Sequence, residues 1–109
     1  MTTVAFTMEG SRITGFTSTG HSGYAEAGAD IVCAAVSSTI GLVECAVNTV
    51  LGLAASVKID EANASISLHL PGGLSEETDS TCQTLLVSLM VYLTELHEEY
   101  PDHITVLEV

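Results

Sequence analysis

A chain of 109 residues in which 47% are hydrophobic has the length and apolar content of one domain, residues 1–109, with its own core, and argues against disorder. Its 14 acidic residues against two basic ones, Arg12 and Lys58, give a net charge of −12. That balance argues against direct nucleic-acid binding and against an anionic membrane surface, and it suits a basic partner.

Val4, Phe6 and Met8 alternate, which predicts a half-buried strand, and Glu9-Gly10-Ser11 reads as a tight turn. Arg12 to Thr19, rich in β-branched residues, returns as the second strand of a hairpin. Gly20 to Ala29 holds three glycines in ten residues and reads as a loop. Asp30 then suits the N-cap of a long apolar helix running to about Ala55, with a bend or fraying near Gly41 or Gly52. Glu44 is the one charged residue from Ile31 to Ala55, and the stretch is long enough to span a bilayer. Ser37, Ser38, Thr39, Asn48 and Thr49 dilute it and no basic flank accompanies it, so a core helix is the favoured reading and no membrane is expected.

Val57 and Ile59, then Ile66, Leu68 and Leu70, predict a second hairpin turning at Asp60-Glu61-Ala62-Asn63. Ser75 caps a second helix with Glu76, Glu77 and Asp79 in its first turn, and the helix stops before Pro101. Ile104, Val106 and Leu107 suit a last strand. The order β-β-α-β-β-α-β predicts an α+β fold, with a mostly antiparallel sheet packed with two helices.

The three cysteines, Cys33, Cys45 and Cys82, are odd in number and widely spaced, which is not a disulfide framework. Neither they nor His69, His97 and His103 fall at zinc-ligand spacing, so no metal or other cofactor is expected. Met1 to Met8 lacks the regions of a signal peptide, which points to the cytoplasm and reduced thiols. Cys45 and Cys82 fall on apolar helical stretches and read as core residues. His69, His97 and His103 read as surface residues.

Chemistry, if present, concentrates between Gly20 and Ser37. Cys33 lies three residues after the expected cap Asp30, in the first helical turn, where unpaired N–H groups favour a thiolate and could receive an oxyanion. His21, in the glycine loop, is a candidate base. Asp30 beside a thiol helps only as a helix cap or by orienting His21. Ser37 is one turn beyond Cys33 and could bond near the site or back to the helix. On spacing alone, a lone cysteine in an apolar run such as Cys33 is usually a small packing residue. Gly20-His21-Ser22-Gly23-Tyr24 is not a hydrolase elbow, because Tyr24 stands where the last glycine belongs.

Gly20-His21-Ser22-Gly23-Tyr24-Ala25, followed by Gly28-Ala29-Asp30-Ile31-Val32-Cys33-Ala34-Ala35-Val36-Ser37, resembles the signature of the ribosomal-processing cysteine protease family, Prp. The resemblance covers the chain in length and element order. It implies a cysteine endopeptidase that removes the N-terminal extension of a basic large-subunit ribosomal protein, number twenty-seven, in bacteria. It implies His21 and Cys33 as the catalytic dyad, Asp30 and Ser37 as supporting positions, Gly20 and Gly28 as loop glycines, and a homodimer. Ser22 departs from the Ala that many relatives carry there. Two other readings remain open at this stage: a non-enzymatic ribosome-associated module that holds a basic ribosomal protein, and a structural dimerisation domain built on the long helix.

Overall fold

A computed structural model describes residues 1–20 and 27–109, with residues 27–30 described by backbone alone. Strands β1 (Thr2–Glu9) and β2 (Arg12–Thr19) form the first hairpin. Helix α1 (Ala27–Glu44) continues directly into a π-helical segment, Cys45–Val50. The second hairpin is β3 (Ser56–Asp60) with β4 (Ser65–His69). Helix α2 (Glu76–Glu99) and β5 (Ile104–Glu108) complete the chain.

The strands form one sheet in the order β3-β4-β2-β1-β5, antiparallel except for the β1–β5 pair. The α+β order read from the sequence is the one observed. The exception follows from chain geometry. Helix α2 carries the chain back across the sheet, so β5 enters beside β1 in the same direction.

Side-chain alternation places one row of inward residues after another across the sheet. Val57, Leu68, Phe16 and Phe6 are in register across four strands, and Phe6, Phe16 and Leu68 are buried in the core. The neighbouring row is Ile66, Ser18, Val4 and Val106, with Ile59 exposed at its β3 edge. Helix α1 covers the sheet with Val32, Val36, Ile40 and Val43, and the π-helical segment adds Val47, all buried and spaced four or three apart, as one helical face requires. Helix α2 adds Leu86, Leu89, Leu93 and Leu96. The stretch Ile31–Val50 is long and apolar enough to cross a membrane by length and composition. In this fold its buried stripe packs in the shared core, while Ile31, Leu42 and Val50 face outward.

Two side-chain amides tie the elements together. Gln83 accepts from the Ile13 N–H and donates to the Ile13 carbonyl, both at 2.7 Å, so α2 completes the backbone pairing at the start of β2. Asn48 does the same for Ala55, at 2.7 and 3.2 Å, and fixes the chain between the π-helical segment and β3. Ser75 caps α2 as expected, accepting from the Thr78 N–H at 3.1 Å. Asp60 accepts from Asn63 in the turn of the second hairpin, which lowers its carboxyl pKa through the Asn63 side chain first and backbone second.

Arg12 grips the Asp79 carboxylate through Nε, at 3.0 Å to each oxygen, and Nη2, at 2.8 Å. This hydrogen bonding raises the Arg12 pKa and holds the Asp79 carboxyl below its usual range. Both side chains remain partly in water, so the pair contributes little, about 0.2–1 kcal/mol. A depressed folded-state pKa means that the stabilisation is present above the unfolded value and is lost as pH falls through the folded one. Asp79→Asn should therefore lower the melting temperature slightly at pH 7. That difference should vanish on acidification below pH 3.8, and thermal melts across this range check it.

Candidate active site

Helix α1 presents Cys33, Ser37 and Gly41 on three successive turns of one stripe. All three line a cavity of about 290 Å³ between α1 and one end of the sheet. Val36 and Ile40 from α1 and Ile66 from β4 give it apolar walls. Thr2, Ser18 and Gly20 close it from the first hairpin, and Ala64 from the turn before β4. Thr2 and Ser18 are buried polar residues where the inward rows would otherwise stay apolar. The floor of the cavity thus becomes polar as the core ends.

Cys33 is half-buried, and none of the three cysteines is in a disulfide. The expected set comes together in part: Cys33, Ser37 and Gly20 border the same space. His21 lies outside the described residues, as do Ser22 and Gly23.

Two expectations are corrected. Helix α1 begins no later than Ala27, so Asp30 is an interior helical residue rather than the N-cap, and Gly28 is helical rather than a loop glycine. Ala27 and Ala29 are strong helix formers, and they carry the helix back past the residue whose chemistry suggests a cap. Cys33 is accordingly at least the seventh helical residue, beyond the first turn. Its own N–H lies within the helical ladder, and the field of the N-terminus, which fades within a turn, favours its thiolate less than a first-turn position would.

The other thiols separate clearly. Cys82 is fully buried, as expected, and burial raises its pKa, with Asp79 adding to the rise and Arg12 opposing it. Cys45 is exposed rather than in the core. The widening of the helix there turns it outward while Val47 keeps the inward position. His97 is half-buried, not a plain surface residue: Nδ1 bonds the Ile104 carbonyl at 2.5 Å and links α2 to β5. Among the described residues, no group of three His, Cys, Asp or Glu could hold a metal ion.

Sequence reasoning missed Thr2, Ser18, Ala64, Ile66 and Gly41 as cavity residues. Only Thr2 and Ser18 left a signal, as polar residues in otherwise apolar alternation.

The fold itself is shared with solved proteases. The chain superimposes on Prp of Staphylococcus aureus bearing a covalently linked product peptide with a TM-score of 0.79, at 25% identity over all of both chains. The same protease with a substrate peptide gives 0.84 at 22% identity, again over both chains in full. SMU.848 from Streptococcus mutans gives 0.86 at 26%, covering all of this chain and 94% of the other. In sequence, the chain is 30% identical over 94 residues to the ribosomal processing cysteine protease Prp of Bacillus subtilis (strain 168), 86% of this chain and 84% of that protein. The class is therefore that of a cysteine protease. The profile of the cysteine protease Prp family matches residues 1–105, and the chain belongs to that family.

Proposed function

We propose that this cysteine protease removes the N-terminal extension of a basic large-subunit ribosomal protein, number twenty-seven, with Cys33 as nucleophile and His21 as base. The observation that carries the reading is the Cys33 thiol in the wall of the cavity between α1 and the sheet, in a chain of the Prp family. The Bacillus subtilis relative is named for ribosomal processing, which supports the substrate class. The net charge of −12 supports a basic substrate, whose approach it would steer.

In this reading, His21 takes the Cys33 proton and Sγ attacks the scissile carbonyl. The C–N bond breaks as His21 protonates the leaving amine, leaving a thioester on Cys33. His21 then takes a proton from water, which attacks the thioester and releases the new carboxylate and the thiol. Asp30 would orient His21, and Ser37 would hydrogen-bond within the cavity. The reaction belongs in the cytoplasm, where the thiol stays reduced. A homodimer is part of the same proposal. Leu42, Leu85, Leu89 and Tyr92 line an apolar groove between α1 and α2, and Leu42 is 70% exposed.

Mass spectrometry after incubating the enzyme with the ribosomal protein carrying its extension tests the reading. One cut that releases the extension is expected. An intact protein, with the enzyme folded and its thiols reduced, would reject the assigned substrate.

A further inference from the structure

We propose that the groove between α2 and the outer edge of β5 docks an extended basic segment of the substrate, with Lys or Arg at alternate positions, as an added strand of the sheet. Calling the occupant the substrate rests on the proposed function; the strand pairing itself does not.

β5 is the end strand of the sheet and has β1 on one side only. Successive residues of a strand point their N–H and C=O groups to opposite sides. The Thr2 N–H donates to the His103 carbonyl at 3.0 Å, and Val109 donates to the Phe6 carbonyl at 2.8 Å and accepts from the Met8 N–H at 2.9 Å. The odd-numbered residues therefore face β1, and Ile104, Val106 and Glu108 face outward. The Ile104 carbonyl is already met from the outer side by His97 Nδ1. Among the described residues, no backbone bond uses the outward groups of Val106 or Glu108. Their N–H and C=O groups form a short open edge, the template on which an extended peptide pairs.

The side of this edge beneath α2 has its own chemistry. Val106 and Glu108 share a strand face with the buried Ile104. Together with Met90, Val91, Glu95 and Glu98 they line a groove of about 450 Å³. Met90, Val91 and Val106 offer carbon to the stems of long cationic side chains, and the three glutamates meet their charged ends. Neither basic residue of the chain answers these glutamates. Arg12 is held by Asp79, and Lys58 lies on β3 at the opposite edge of the sheet. A strand added to β5 would turn every second side chain toward α2, hence the alternation of cations. A second copy is the poorer occupant, since pairing β5 with β5 brings the glutamates of two chains together.

The groove is also within reach of the thiol. β5 stands two strand spacings, about 10 Å, from β2, whose Ser18 lines the Cys33 cavity. About three or four extended residues cover that distance, so one substrate chain can occupy both.

Fluorescence anisotropy with labelled Lys-Val-Lys-Val-Lys and its isomer Lys-Lys-Lys-Val-Val tests the docking without cleavage. The alternating peptide should bind at least about fivefold tighter than the isomer of equal charge. Glu95→Gln/Glu98→Gln/Glu108→Gln should weaken it at least about fivefold, while Glu9→Gln/Glu61→Gln/Glu76→Gln, which removes the same charge at exposed positions elsewhere, should stay within about twofold of the parent. On the extended ribosomal protein, the groove variant should raise KM at least about fivefold at unchanged kcat, and should cleave a peptide spanning only the extension and the cut as the parent does.

Equal binding of the two peptides, or equal weakening by the two triple variants, would reduce the groove to diffuse acidity and overturn the inference. So would an unchanged KM, or a dimer that sediments as a monomer once the alternating peptide is added, which would give the edge to a second copy. A parent that binds the alternating peptide in the groove yet leaves the ribosomal protein intact would remove the assigned substrate and keep the groove as a site for basic strands.

Discussion

Cys33→Ala is expected to lower kcat/KM on the extended ribosomal protein on the order of 10⁵-fold or more, while the chain folds as before. In the proposed two-step reaction no covalent route remains once Sγ is gone, which sets the size of the effect. Preserved folding follows from position. Cys33 is only half-buried, and alanine is the best helix former, so stability should change by less than about 1 kcal/mol. Because folding and the other cavity walls persist, the variant should still bind the extension, and calorimetry on the variant measures that directly. Cys45→Ser, at an exposed position on the π-helical segment, should cleave at the parental rate. Residual cleavage by Cys33→Ala above a thousandth of the parental rate would transfer the chemistry to another group.

The largest effect on stability should come from Phe16→Ala, about 3–5 kcal/mol. Phe16 is fully buried on β2, beside Phe6 on one side and Leu68 on the other, and its ring centre lies 6.0 Å from that of Phe6 at a 46° tilt. Both neighbours are themselves fully buried in the sheet and held by their own packing, so neither is placed to fill the void. Domains of this size have total stabilities of about 5–15 kcal/mol, so the loss is a large share of the whole. Urea unfolding should show a lower midpoint with an unchanged slope. Phe16→Leu, which keeps most of the volume, should cost less than about 1.5 kcal/mol. Phe16 precedes the cavity residue Ser18 by two positions on the same face, so activity in Phe16→Ala should fall before the chain unfolds.

What the sequence disclosed is what local chemistry dictates. Alternation gave both hairpins, the Asp60–Asn63 turn appeared where expected, and Ser75 signalled the start of α2 through a cap the structure contains. Local signals misled where two of them competed. Asp30 reads as a cap, but the alanines before it carry the helix through it. Cys45 reads as buried on a helix of regular period, and the period changes at that residue. The site was legible along α1, where Cys33 and Ser37 share a stripe, and at Gly20 after β2. Thr2, Ser18 and Ile66 join them through strand register, which depends on pairings far apart in the chain.

The parallel pairing of β1 with β5 has a consequence for when activity can appear. Thr2, which walls the cavity, is held by the His103 carbonyl through its own N–H at 3.0 Å and stands opposite Ile104. Pairing between such distant positions is slow, because the closure of the intervening chain costs entropy. A nascent chain still lacking residues beyond Tyr100 on the ribosome would have β1 as an unpaired edge, and one wall of its cavity unsecured. Proteolytic competence would then arrive only once β5 has been made and paired with β1.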